Sequence, residues 1–141
     1  MVKEMTESKT VLMIDDDVDF VRAVRALLES AGFKVRAAGN GRDGLQLAKT
    51  LEPDLILLDV IMSERTEGFL VLQEMRRVPA LANKPVIMLS SIYNDVPAFR
   101  VDPEAGWLPA NLFLAKPVDP KRLLAEVTRL TTTAAAEGRQ Q

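Results

Sequence analysis

Histidine and cysteine are both absent from this chain of 141 residues. Without histidine there is no imidazole to serve as base, metal ligand or phosphate carrier. Without cysteine there are no disulfides, no thiolate zinc sites and no sulfur nucleophile. An excess of positive charge is missing too: 18 basic residues against 20 acidic ones leave a formal charge of -2, which argues against a dedicated nucleic-acid surface. No apolar stretch approaches the length of a membrane span, and residues 1–9 lack the apolar core of a secretory leader. The expectation is a cytoplasmic protein with no nucleic-acid or membrane partner, whose chemistry rests on carboxylates, hydroxyls and lysine.

What is present is a hydrophobic fraction of 48%, enough for one domain with an adequate core. Its apolar residues fall in short runs that each end on a polar group. Val11-Leu12-Met13-Ile14 leads into Asp15-Asp16-Asp17, and Leu55-Ile56-Leu57-Leu58 into Asp59. Val86-Ile87-Met88-Leu89 leads into Ser90, and Leu112-Phe113-Leu114 passes through Ala115 to Lys116-Pro117. Short runs of this kind read as buried parallel strands. In open α/β sheets the functional crevice lies at the carboxyl ends of the strands, so one edge of the sheet receives carboxylates, a hydroxyl and an ammonium.

Helical spacing fills the intervals. Asp17 or Asp19 is placed to cap a helix over 18–31, with Val21, Val24, Leu27 and Leu28 on its apolar side and Gly32 at its end. A short strand over 33–37 precedes the turn Gly39-Asn40-Gly41 and a helix through Leu51; Pro53 and Asp54 mark the break before the next strand. Further elements are a helix over 67–77, strands over 85–89 and 111–115, and a last helix from Pro120 to about Thr131. Between Ser90 and Lys116, however, Pro97, Pro103 and Pro109 interrupt any helix, each at a cost of about 3 kcal/mol in a helix interior. The expected fold is α/β: a doubly wound, five-stranded parallel sheet of flavodoxin-like type, with right-handed crossovers and an irregular proline-rich segment in place of a regular fourth helix. The expected organisation is a flexible lead-in over 1–9, a domain over 10–131 and a flexible tail over 132–141.

Asp15, Asp16 and Asp59 at one edge would repel one another, and a proton or a cation has to relieve them. An all-oxygen site with open positions suits Mg²⁺, which keeps several waters and bridges to phosphate oxygens. Lys116 adds a mobile positive charge and Ser90 a hydroxyl donor, so the set can neutralise a phosphoryl group transferred to a carboxylate. Taken singly, each residue also has a plainer use. Asp15–Asp17 serve as a helix cap with a solvated charge run, Asp59 as a turn residue, Ser90 as a loop hydroxyl, Lys116-Pro117 as a surface turn and Phe113 as a core aromatic. The joint pattern favours the site, because all the features end strands in the order that one crevice requires.

The motifs Val11-Leu12-Met13-Ile14-Asp15-Asp16-Asp17, Asp54-Leu55-Ile56-Leu57-Leu58-Asp59-Val60-Ile61-Met62, Pro85-Val86-Ile87-Met88-Leu89-Ser90 and Phe113-Leu114-Ala115-Lys116-Pro117 together resemble the response-regulator receiver domain of two-component signalling, over about residues 10–131. The resemblance implies that Asp59 is a phosphoacceptor served by a phosphohistidine of a sensor kinase or phosphotransfer protein. It implies Mg²⁺ held by Asp16, Asp59 and the backbone carbonyl of Ile61, with Asp15 acting through water. Ser90 and Lys116 would hold the phosphoryl oxygens, and Phe113 would be the aromatic whose rotamer follows Ser90. Ile61 and Ile92 would flank the path of the hydrolytic water; both are apolar, so slow loss of the phosphoryl group is expected. The chain departs from the family in having Ser63 where receivers commonly carry a proline, a longer loop between Asp59 and Gly68, and a longer, proline-rich interval from Ser90 to Lys116. Those departures bear on output rather than on phosphorylation. Signalling is expected through protein contact or phosphorelay, with residues 92–110, including Tyr93 and Trp107, and the last helix as the partner surface.

Other readings use the same residues. A haloacid-dehalogenase-like phosphohydrolase would take Asp15 as nucleophile, Asp17 as acid/base and Ser90 and Lys116 as its later motifs. It needs a further strand ending in acidic metal ligands after the lysine, and it leaves Asp59 without a role. A flavodoxin-like nucleotide binder would place three aspartates against its phosphate. A degenerate receiver acting as a constitutive binding module would not require the acidic set and Lys116 together.

Overall fold

A computed structural model describes residues 8–60, 67–90 and 111–140. Its strands are β1 (Thr10–Ile14), β2 (Lys34–Ala38), β3 (Leu55–Asp59), β4 (Val86–Ser90) and β5 (Leu112–Ala115). Its helices are α1 (Val18–Ser30), α2 (Gly41–Leu51), α3 (Glu67–Arg77) and α4 (Pro120–Gln140). The strands form one parallel sheet in the order β2-β1-β3-β4-β5. This is the doubly wound arrangement expected from the alternation of apolar runs and helical segments. The segment 92–110, expected to be irregular, lies outside the described residues.

Alternation along the strands divides the core in two. Leu12, Ile14, Ile56, Leu58, Val86 and Met88 face α2 and α3, where Ala48, Leu72 and Met75 meet them. Val11, Met13, Leu55, Leu57, Ile87 and Leu89 face α1 and α4, against Leu28, Leu123 and Val127. Both faces of the central strands are buried, which is why β3 and β4 are apolar at every position before their terminal Asp59 and Ser90. Gly44 lets α2 close onto β1, since a Cβ there would come within 2.6 Å of the Ile14 side chain.

Local chemistry sets the boundaries. The Asp17 carboxylate accepts from the Phe20 N–H at 3.1 Å and starts α1. Gly32 ends it with φ 102, while its N–H and that of Phe33 return to the Glu29 and Leu28 carbonyls. Asn40 caps α2 through the Asp43 N–H at 2.8 Å. Pro85 accepts from the Ile56 N–H but has none to donate, so β4 begins at Val86 rather than at 85. The Val86 N–H is taken by the Asn111 side-chain oxygen at 2.9 Å, which leaves Asn111 just ahead of β5. The last helix differs most from expectation: α4 continues beyond Thr131 to Gln140. The weak apolar pattern of Thr131-Thr132-Thr133 gave no reason to extend it, whereas the following Ala134-Ala135-Ala136 carries the highest helix propensity.

Candidate functional site at the carboxyl edge of the sheet

β1 and β3 are neighbours in register, Ile14 opposite Leu58, so the residues that follow them emerge side by side. Asp15 is tied to β2 by its N–H, which donates to the Ala38 carbonyl at 3.0 Å. Asp15 and Asp59 are almost fully buried, at 3% and 4% exposure, whereas Asp16 faces solvent. One carboxylate oxygen from each of the three lies within 4.8 Å of the others. The structure therefore brings the three sequence-predicted carboxylates together, with two dry and one open to water.

Lys116 reaches this group from the end of β5. Its Nζ donates to Asp15 Oδ2 at 3.0 Å and stands 3.7 Å from Asp59 Oδ2, with the side chain 17% exposed. Its backbone is fixed by donation of its N–H to the Ser90 carbonyl at 3.0 Å. Ser90 itself is fully buried at the end of β4, opposite Ala115. Phe113 is half-buried, registers with Met88 and packs on the α2–α3 side of the sheet. Among the described residues the two buried carboxylates share this ammonium. An ion group so deprived of water carries a desolvation cost that only further positive charge or donors can offset. The donor set is all oxygen and one of its members stays hydrated, which fits a hard, water-retaining cation such as Mg²⁺.

Asp15 is also held from its other oxygen, since Oδ1 accepts from the Asp17 N–H at 2.9 Å. With both oxygens engaged, Asp15 is suited to holding the site together and poorly suited to attack as a nucleophile. Asp59 lies on a strand end whose following residue is pinned: the Val60 N–H donates to the Leu89 carbonyl at 2.8 Å. The Val60 carbonyl in turn accepts from the Gly68 N–H at 2.9 Å. A Cβ on Gly68 would collide with the Asp59 carbonyl oxygen and come within 2.7 Å of the Val60 Cα. Glycine is thus required for α3 to rest against the backbone of Asp59. Ile61 and Ile92 lie outside the described residues.

Two contributors lie outside the sequence motifs. Gly68 stands in the sequence only as the far limit of a loop. Phe20 belongs to no motif, yet its ring centroid lies 4.4 Å from the Lys116 ammonium. The available signal was an aromatic residue in the first turn of the helix that leaves the acidic run. Among the described residues no helix is long and apolar enough to cross a membrane.

Comparison with known proteins agrees with this geometry. The response regulator receiver domain family matches residues 11–128. The DNA-binding dual master transcriptional regulator RpaA of Synechocystis sp. is 38% identical over 123 residues, which are 85% of this chain and 48% of that protein. The response regulator PleD of Caulobacter vibrioides is 34% identical over 125 residues, 88% of this chain and 26% of that protein. The chain thus spans about half, or less, of the length of these relatives. Among solved structures, chemotaxis protein CheY4 of Vibrio cholerae superposes with a TM-score of 0.76 at 28% identity, covering 87% of this chain and 98% of that one. The receiver domain of Francisella response regulator 1452 superposes with a TM-score of 0.78 at 26% identity, covering 90% and 99%. With its parallel sheet, its acidic cluster and its lysine at the end of β5, the chain belongs to the response regulator receiver domain family.

Proposed function

We propose that Asp59 accepts a phosphoryl group from a phosphohistidine of a sensor kinase or phosphotransfer protein, and that the acyl phosphate is the signal. The observation that carries this reading is the buried pair Asp15 and Asp59 sharing one ammonium beside an exposed third carboxylate. Asp15 has both of its oxygens engaged, by the Asp17 N–H and by Lys116, and the role of acceptor falls to Asp59. Its carboxylate attacks phosphorus, the P–N bond of the donor breaks, and the leaving imidazole nitrogen takes a proton from solvent. Lys116 then transfers its ion pairing to a phosphoryl oxygen, and the Ser90 hydroxyl donates to another. Asp16, Asp59 and the Ile61 carbonyl would hold Mg²⁺, with Asp15 acting through water; Mg²⁺ bound there would supply positive charge to the transferring phosphoryl oxygens. A group that modifies itself once per signal is a switch rather than a turnover catalyst.

Phosphorylation adds about one to two negative charges and strong acceptor oxygens. Movement of Ser90 toward them would free the space into which Phe113 turns, coupling the site to a downstream protein through residues 92–110 and α4. The apolar Ile61 and Ile92 favour slow loss of the phosphoryl group, because neither can hold a hydrolytic water in line. Intact mass after incubation with Mg²⁺ and acetyl phosphate tests the reading. The protein should gain one phosphoryl group, and Asp59→Asn should gain none. Continuous donor turnover that depends on Asp15 would instead identify a phosphohydrolase.

A further inference from the structure

We infer that Phe20 is a positioning residue of the phosphorylation site, holding the Lys116 ammonium against Asp15 and Asp59 by its aromatic face. The inference relies on the reading of Asp59 as phosphoacceptor for its chemistry, though not for its geometry. Four contacts close into a ring. The Asp17 N–H donates to Asp15 Oδ1 at 2.9 Å, and Asp17 Oδ1 accepts from the Phe20 N–H at 3.1 Å. The Phe20 ring centroid stands 4.4 Å from Lys116 Nζ, and Nζ donates to Asp15 Oδ2 at 3.0 Å. Each member is thereby located by the next, and the ring runs between the end of β1, the first turn of α1 and the end of β5.

The physical need is plain. A lysine ammonium is a compact point charge on a flexible stem with rotatable donors. Carboxylates alone set its distance, but they leave it free to swing toward water or toward the exposed Asp16. The negative face of an aromatic ring attracts a cation within about 6 Å of its centroid, and it offers no acceptor that competes for the ammonium protons. Phe20 also belongs to the core on the α1–α4 side, where it packs as a partly buried side chain. The ring is therefore anchored, and the ammonium lies between a fixed apolar-aromatic surface and the two buried carboxylates. An aliphatic residue of similar size would fill the space and lack the attraction.

Two measurements on the whole chain separate this role from simple packing. In the unphosphorylated protein, NMR of the Lys116 ε-methylene should show a ring-current shift and restricted motion. Phe20→Leu should abolish the shift and loosen the methylene, whereas Phe20→Tyr should retain both. The rate of phosphoryl gain from acetyl phosphate should fall about two- to five-fold in Phe20→Leu and be restored in Phe20→Tyr. Replacing Phe20 by mono-, di- and trifluorinated phenylalanine, which keeps the shape and drains the ring face, should lower the rate stepwise. A rate insensitive to fluorination, or a Lys116 methylene equally ordered in Phe20→Leu, overturns the proposal. Because the NMR signature needs no phosphoryl transfer, an ordered Lys116 in a protein that gains no phosphoryl group would break the reading of Asp59 and leave the positioning by Phe20 standing.

Discussion

Strand β3 is preceded by one aspartate and ends on another, and the two have opposite uses. Asp54, ahead of the strand at the amino edge of the sheet, accepts from the Thr10 N–H at 2.8 Å, while its own N–H donates to the Thr10 carbonyl. It ties β3 to β1 as part of the backbone ladder. Asp59, at the carboxyl edge, faces Asp15 and shares its lysine with it. Two further side chains satisfy backbone groups at the amino edge. Asn111 takes the Val86 N–H at 2.9 Å, and Arg76 Nη1 donates to the carbonyls of Leu81, Ala82 and Lys84 at 3.1, 3.1 and 2.8 Å. Burial there holds the Arg76 guanidinium below its ordinary value. The carboxyl edge instead concentrates three carboxylates around Lys116. One edge is built for stability, the other for reactivity.

Removing charge should therefore act in opposite senses at the two edges. Asp59→Asn should abolish phosphoryl gain completely. It should also raise folding stability by about 1 kcal/mol, since a buried repulsion is relieved at a site shaped by function rather than stability. Intact mass and urea unfolding report the two effects. A variant that loses both phosphorylation and stability would show that Asp59 serves the fold as well, and the contrast with Asp54 would weaken.

Gly68→Ala sharpens the contrast from the backbone side. Alanine is favoured over glycine in a helix by about 1 kcal/mol. Here the added Cβ meets main-chain atoms of Asp59 and Val60, which cannot give way without moving the strand end. Overpacking costs of about 3 kcal/mol should outweigh the propensity gain, for a net loss of roughly 2 kcal/mol in urea unfolding. Phosphoryl gain should slow as Asp59 shifts. A neutral or stabilised Gly68→Ala would mean that α3 is not seated against Asp59.

The strand ends were legible in the sequence because parallel strands buried on both faces appear as unbroken apolar runs. A polar residue ending such a run stands out, as Asp15, Asp59, Ser90 and Lys116 do. Roles decided by side-chain contact between distant segments were not legible. Asp54 reads in sequence only as part of the break before β3, and its hold on the Thr10 N–H appears only in the fold. Arg76 resembles any basic residue in a last helical turn until its carbonyl partners are seen. Phe20 reads as one more apolar position of α1, although its ring lies under an ammonium delivered from the far end of the chain.

The exposed carboxylate comes next in expected effect. Asp16 is the exposed member of the cluster and can contribute to a cation while staying hydrated. Asp16→Asn keeps an oxygen but loses the charge. Mg²⁺ affinity measured by titration calorimetry should fall at least about ten-fold, because few protein ligands hold so reluctantly dehydrated an ion. Phosphoryl gain should fall with it and recover in part at high Mg²⁺. Normal phosphorylation of Asp16→Asn at low Mg²⁺ would remove Asp16 from the ligand set.

At the amino edge the expected effect is smallest and its sign is the point. Asp54→Asn keeps an acceptor for the Thr10 N–H but replaces a charge-assisted hydrogen bond by a neutral one. Hydrogen bonds to charged groups contribute about 1.5–3 kcal/mol and neutral ones about 1. Part of that difference is lost where the carboxylate borders a cleft of about 300 Å³ also lined by Lys9 and Lys84. Destabilisation of about 0.5–1 kcal/mol in urea unfolding is expected, with phosphoryl gain unchanged in rate and extent. Asp59→Asn should thus leave a protein that is steadier and silent, and Asp54→Asn one that is weaker and fully competent. If Asp54→Asn slowed phosphorylation as well, the two edges would be coupled through β3, and the division of labour along that strand would have to be given up.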